Sequence, residues 1–462
     1  MKKVLRVGLI ILHLGLVCIG SSESMADGSL RIGAASKIIN PAVGDWVQGA
    51  GAARQGTAIR DDLEANALYI SDGKTPLLLV SCDLVGLSSD WAKRIREAMA
   101  KATDIPARNI LLTCTHTHGG PSLLRTNYLM PIDIAYLERL EVWLVELAKE
   151  SLASAQDGQL GWGKGEAQIG YNRRLCWADG THTMHGDSKR PDFVGLEGAD
   201  NPQHVALFAA DAAGKLIAVL HHNTSHPTIY YAAGVFSADF PGKARTMLRE
   251  ELGDIPVLFL NGAQGDIAIQ NQLNPIKETR EEKLDRIGGM VAAETLRLYK
   301  EVEYHDAVPL AHSFKDLEVG VRLPTPEKLA DAREVLAKID AGDPARGMKM
   351  IMAFGAVHLQ EVYGENPVDT LPVHALRIGD LGLITQPCEL YVQFALDIEA
   401  RSPAPITAVI GLADGYCGYC PTVYGILGGG YSAAPISWTR LEPAAGYKIV
   451  ESAVLQLDAL WR

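Results

Sequence analysis

The chain has 462 residues, with 43 Lys and Arg against 55 Asp and Glu, a formal net charge of −12. That balance argues against nucleic acid as a partner and gives no attraction to anionic membrane surfaces. With 47% hydrophobic and 21% charged residues, the composition is that of an ordinary globular protein rather than a disordered one.

The N-terminus reads Met1-Lys2-Lys3 and Arg6, then an apolar run from Val7 to Ile19, then Ser24-Met25-Ala26. A basic segment, a short apolar segment and a small-residue cleavage site together predict a secretory signal peptide over residues 1–26. Its removal takes away Lys2, Lys3, Arg6 and Glu23, so the mature chain, 27–462, carries −14. The protein is therefore expected to be exported, to the bacterial periplasm or beyond. No later stretch approaches about 20 apolar residues, so no transmembrane segment is expected after processing.

Strands are expected at Ala67–Ser71 and Pro76–Val80, around the turn Asp72-Gly73-Lys74. An amphipathic helix follows over Asp90–Ala102, with Trp91, Ile95 and Met99 on one face. Ile110–Cys114 is the next strand, and Pro131–Ala155 a long helix. Val205–Ala210 and Leu216–His221 read as a hairpin, Gly242–Leu252 as a helix, Pro256–Leu260 as a strand and Lys277–Tyr299 as a helix. The C-terminal third reads as a hairpin over Val373–Thr385, a helix over Leu390–Ala400, the strand Ile406–Ile410 and a closing helix over Ala444–Leu460. Strands alternating with helices, with some hairpins, define a mixed α/β architecture with helices flanking the sheets. No low-complexity linker or repeat marks a boundary, which favours one large catalytic unit.

Chemistry-bearing residues recur just after apolar strands. Thr115-His116-Thr117-His118-Gly119-Gly120-Pro121 follows Ile110–Cys114, and His221-His222-Asn223-Thr224-Ser225-His226-Pro227 closes another strand. Asn261-Gly262-Ala263-Gln264-Gly265-Asp266, Glu389, and Tyr416 with Tyr419 occupy the same kind of position. Open α/β sheets build their sites outside strand carboxyl ends, so groups far apart in sequence can meet on one rim. Two imidazoles, a carboxylate and a phenol suit zinc and leave room for water.

The mature chain keeps six cysteines: Cys82, Cys114, Cys176, Cys388, Cys417 and Cys420. An even number in an exported protein permits disulfides without fixing their pairing. Cys417-Gly418-Tyr419-Cys420 is a CxxC without a second CxxC. It reads as a local disulfide or two thiols in a loop rather than as a zinc ribbon.

Seven motifs stand in order along the chain: Thr115-His116-Thr117-His118-Gly119-Gly120-Pro121, Tyr171-Asn172-Arg173-Arg174, Ser225-His226-Pro227-Thr228, Ser237-Ala238-Asp239-Phe240-Pro241-Gly242, Gly262-Ala263-Gln264-Gly265-Asp266, Pro387-Cys388-Glu389, and Gly418-Tyr419 with Gly430-Tyr431. In these motifs the chain resembles the catalytic domain of the neutral/alkaline, non-lysosomal ceramidases. The resemblance implies a zinc site with ligands His116, His226, Glu389 and Tyr419, and with His118, Arg173 and Tyr431 around the scissile carbonyl of a lipid or other N-acyl amide. It also implies two departures. Asp266-Ile267-Ala268-Ile269 has Ala268 where the family has a catalytically important serine, and the further C-terminal β-domain of full ceramidases is not expected after Arg462. The substrate is then in doubt, and a zinc esterase or deacylase on a non-lipid substrate, or a non-catalytic binding protein, stays as the alternative.

His222 competes with His226 as a ligand, and Tyr416 with Tyr419. His182 and His185 are expected to be solvated, with a rim role possible for them. Asp239 and Asp266 are expected to orient loops and imidazoles, and Asp83 to cap a loop. His204, His305, His312, His358 and His374 show no partner pattern.

Overall fold

The computed structural model describes residues 29–49, 53–342 and 347–462. The expected signal peptide, 1–26, lies outside the described residues. Among the described residues no helix is long and apolar enough to cross a membrane.

One supersecondary unit occurs three times among the described residues. In the first copy, β1 (Leu30–Ile38) pairs antiparallel with β2 (Glu64–Ser71), β2 antiparallel with β3 (Leu77–Cys82), and β3 parallel with β4 (Ile110–Cys114). Helix α1 (Ser89–Thr103) makes the crossover between β3 and β4, and α2 (Ile134–Ala153) returns onto β1 and β2. The second copy repeats this with β5 (Gln156–Glu166), β6 (Gln203–Asp211), β7 (Leu216–Asn223), α3 (Asp239–Leu252), β8 (Val257–Asn261) and α4 (Arg280–Tyr299). The third uses β9 (Leu310–Gly320), β10 (Val368–Ile378), β11 (Leu381–Thr385) and β12 (Ile406–Ile410). Its helices α5 (Pro326–Asp340) and α6 (Met348–Tyr363) are inserted between β9 and β10. Its crossover is α7 (Val392–Arg401), and α9 (Ala445–Leu460) closes the chain after the short α8 (Val423–Gly428).

The first two copies share one eight-stranded sheet, joined where β1 pairs with β5, and the third forms a separate four-stranded sheet. The architecture is mixed α/β, as the alternation of patterns indicated. The absence of a sequence repeat did not extend to topology: the units share strand order and pairing sense, which hydrophobic patterning conserves without residue identity.

Strand alternation explains the layering. In β2, Leu68 and Ile70 face one core while Ala67 and Tyr69 face another; β3 and β4 split Leu79 and Leu111 from Val80 and Leu112 in the same way. The inner faces of all three units meet in one central core that includes Ile32, Leu207, Leu258, Leu376, Leu383 and Ala408. The outer faces are covered by the helices, with α1 and α2 on the first unit and α5, α6, α7 and α9 on the third. The helix ends carry local signals: Asp133 caps α2, so it starts after Pro131, and Thr279 with Glu282 forms a capping box at α4.

The first, third and fourth strands of a unit point the same way, because two antiparallel steps and one parallel step restore direction. Their carboxyl ends therefore share one rim. The ends of β4, β8 and β12 meet there: Cys114 N donates to Leu412 O at 3.2 Å and Gly411 N to Asn261 O at 2.9 Å.

Candidate metal and catalytic site

A cavity of about 480 Å³ opens at this rim. Every described residue that lines it follows a first, third or fourth strand. Gln48 and Gly49 come after β1, Val85 after β3, and His116, His118 and Leu124 after β4. Arg173 and His185 come after β5, Thr228 and Tyr231 after β7, and Ala268 and Gln270 after β8. Met348 and Ile351 follow β9, Glu389 follows β11, and Tyr416, Tyr419, Tyr431 and Trp438 follow β12.

The floor of the cavity is a cluster of imidazoles. His116, with φ of 70°, occupies the left-handed region that is costly for a non-glycine residue. Its backbone is held there by His116 N to Leu84 O at 2.9 Å. Positive φ at Asp239, Leu412 and Asp414 places further strain near the same rim, roughly 1–3 kcal/mol at each such residue, held by the surrounding packing.

Each of the three rings has one nitrogen tied to a backbone carbonyl. His116 Nδ1 donates to Val85 O at 2.6 Å, His118 Nδ1 to Gly49 O at 2.9 Å and His226 Nδ1 to Ile267 O at 3.0 Å. A carbonyl can only accept, so the proton of each neutral ring sits on Nδ1 and each Nε2 carries a lone pair. Those lone pairs face one another: Nε2 of His116 lies 3.3 Å from Nε2 of His226 and 3.3 Å from Nε2 of His118. The three ligating atoms lie within 4.8 Å of one another. Glu389 Oε2 joins them, 3.1 Å from His226 Nε2 and 3.5 Å from His116 Nε2. Neutral acceptors gathered around one point repel unless a cation stands between them, so this donor set fits a divalent metal ion.

The electrostatics agree. Burial pushes the His118 ring down to about 3, and neighbouring His116 adds to the shift. Burial and then Arg173 hold His226 well below the ordinary imidazole value. Burial raises Glu389, but His116 and His226 outweigh it and keep the carboxyl well below its usual range. Burial thus keeps the His118 and His226 rings neutral beside an ionised Glu389 carboxylate, the states metal ligands require.

Around the cluster stand the other candidates. Arg173 Nη2 lies 3.0 Å from His226 Nε2, 3.0 Å from Gly265 O and 3.4 Å from Tyr419 Oη, while its Nε is buried without a partner. Tyr416 Oη donates to Glu389 Oε1 at 2.7 Å. The Tyr419 and Tyr431 rings are 5.7 Å apart. Ala268 lies on the short strand Ile267–Ala268, paired with Tyr171–Asn172, and lines the cavity. His116, His118, His226, Glu389, Tyr419, Arg173 and Tyr431 are all brought to the one cavity or its floor.

Other residues lie elsewhere. His222 points Nε2 at Val409 O, 3.2 Å away, so the chain turns it from the cluster. His182 differs from the solvated state expected of it. It is buried, with Nδ1 2.6 Å from Glu197 Oε2, which also takes Arg174 Nε at 2.7 Å. His185 is exposed at the cavity rim. Asp266 accepts from Asn172 Nδ2 at 2.9 Å and Val392 N at 2.8 Å, and Asp239 accepts from Tyr230 N at 2.9 Å. Asp83 accepts from Glu64 N and pairs with Arg245. His312 and His374 do have partners: their facing ring nitrogens are 3.0 Å apart, and His374 Nε2 is 3.0 Å from Asp414 Oδ2. The residues that sequence reasoning missed are those whose carbonyls set the tautomers, Gly49, Val85 and Ile267. A backbone oxygen leaves no side-chain signal.

No family model and no curated protein matches the chain. Among solved structures, a neutral ceramidase from Pseudomonas aeruginosa superposes with a TM-score of 0.71 at 19% identity, over 94% of this chain and 75% of that one. A ceramidase complexed with C2 gives 0.70 at 18% identity, over 94% and 76%. At such identities the likeness shows a shared fold.

Proposed function

We propose that this protein is a zinc-dependent hydrolase of linear amide bonds that is exported after loss of residues 1–26. It acts on an N-acylated amine or a lipid amide, with residues 27–462 as one catalytic unit. The observation that carries the reading is the set of three Nε2 lone pairs and the Glu389 carboxylate around one point. His116, His226 and Glu389, the most tightly grouped, are assigned as ligands with Tyr419. Bound there, zinc lowers the pKa of a water and polarises a carbonyl.

His118, oriented by Gly49 O and less buried than the other two rings, offers its Nε2 to the cavity. In this assignment it takes a proton from the attacking water and passes it to the leaving amine. Arg173 and Tyr431 donate to the oxygen that gains charge, Arg173 with a buried Nε that has no protein partner. Tyr416 orients the carboxylate from behind through its bond to Glu389.

The fold shared with a protein named neutral ceramidase supports amide chemistry on this scaffold. A methyl group at Ala268 offers no hydroxyl to the cavity, which favours a substrate other than ceramide and keeps an ester or a non-lipid deacylation as the second reading. The test is a panel of ceramide, shorter N-acyl amines, N-acyl amino acids and matching esters. Amide cleavage that a chelator abolishes and zinc restores is expected. Zinc-loaded protein that turns over none of the amides contradicts the reading.

A further inference from the structure

The ribbon that carries Glu389 and Tyr419 has a second face. Cys388–Leu390 runs parallel to Gly418–Cys420, with Glu389 opposite Tyr419, Cys388 opposite Gly418 and Leu390 opposite Cys420. Side chains alternate along a strand, so Glu389 and Tyr419 take the cavity side while Cys388 and Cys420 take the other. Gly418, with φ of 71°, breaks the alternation where its strand begins, and this lets Cys417 turn to the same side. Cys388, Cys417 and Cys420 are free thiols in one buried cluster, the Cys388 thiol facing the other two. Cys388 and Cys417 are 0% exposed and Cys420 is 2% exposed.

The register separates the two pairings open to Cys388. Cys417 N donates to Pro387 O at 3.0 Å, which places Cys417 one step out of register with Cys388. Strands about 4.8 Å apart, offset by one rise of about 3.3 Å, put these Cα atoms about 6 Å apart, within the range a disulfide spans. Cys388 and Cys420 are offset by two rises, about 8 Å, which is too far. Beside Cys417 lies the buried guanidinium of Arg440, whose Nη1 donates to Cys417 O at 3.1 Å.

We infer that Cys388 and Cys417 are the partners of a disulfide that braces the two strands presenting Glu389 and Tyr419. The oxidant is the disulfide of a thiol–disulfide oxidoreductase or of oxidised glutathione. The Cys417 thiolate attacks one sulfur of that disulfide and releases its other sulfur as a thiol. The Cys388 thiolate then displaces the second sulfur from the mixed disulfide. Two protons and two electrons leave the cysteine pair, and the oxidant ends as two thiols. Because both sulfurs are buried, the bond forms while the ribbon is open and is shielded once it closes. A three-residue ladder has few backbone bonds of its own, so a covalent tie here restricts the chain between residues 388 and 417 before the site assembles.

The test uses the full-length chain, exported or refolded in a glutathione and glutathione-disulfide buffer. Free thiols are alkylated under denaturing conditions and the peptides mapped. The expected result is a Cys388–Cys417 cross-linked peptide with Cys420 alkylated. The bond should survive dithiothreitol in the folded protein and be reduced after unfolding in guanidinium. Cys417→Ser should lose the cross-link and lower Tm by several degrees, whereas Cys420→Ser should keep both. Alkylation of both Cys388 and Cys417, a Cys417–Cys420 link instead, or a cross-link whose loss leaves Tm unchanged overturns the inference.

Discussion

His118 and His116 are two positions apart and have been given different work, and substitution separates them. His118→Ala should cut turnover by about 10²–10⁴-fold and leave the bound metal in place, because the ring is assigned to proton transfer. Loss of metal together with activity would make His118 a ligand instead. Gly49 offers a finer test. At φ of 99° its added Cβ would lie 2.6 Å from His118 ring atoms, while its carbonyl orients that same ring. Gly49→Ala should therefore displace the ring and lower kcat by about 10²-fold, since a misplacement of about 1 Å costs that much, with metal content unchanged. Activity equal to wild type would show that the ring position is not decisive. The paired imidazoles of the motif were legible in sequence because strand, His-x-His and Gly-Gly-Pro loop are contiguous. The carbonyls that set their tautomers were not, since Val85 and Ile267 carry no polar side chain.

Elements with a clean pattern were read closely. Ile110–Cys114 and Ile406–Ile410 have the bounds that sequence expected, being apolar runs between turn residues. Strands β1 and β5 escaped notice because glycines interrupt them, and packing explains those glycines. A Cβ on Gly33 would lie 2.1 Å from Ser151 O, so α2 rides directly on β1. Gly33→Ala should destabilise the fold by about 1–3 kcal/mol in urea melts, since neither backbone can yield cheaply. An unchanged midpoint would mean the helix is free to shift. In the second unit, on the same outer face of the sheet, α4 covers β6, where His204 is buried with Nε2 2.9 Å from Thr295 Oγ1. Burial, and then His222, push His204 down to about 3. The unfolded ring therefore binds a proton that the folded one does not between pH about 3 and about 6.5. Stability contributed by the neutral ring is present above that window and is lost as pH falls through it, with a slope of up to about 1.4 kcal/mol per pH unit. His204→Gln should flatten the wild-type pH dependence of stability between pH 4.5 and 6.5. An identical slope in both proteins would show that His204 is protonated in the folded state.

The whole molecule explains why residues from 116 to 419 can serve one centre. Three copies of a unit with three co-directed strands deliver their carboxyl ends, and all the residues lining the cavity, to a single rim. Sequence disclosed the ends strand by strand, but not that the units are alike, because the likeness lies in pairing order rather than in residues. A rim built in this way should hold one metal ion. Elemental mass spectrometry of the purified protein, with no metal added, measures it directly. About one zinc per chain, lost in His116→Ala and kept in His222→Ala, is the predicted result. No zinc as purified and none taken up on titration, in protein that is folded by circular dichroism, would contradict the account.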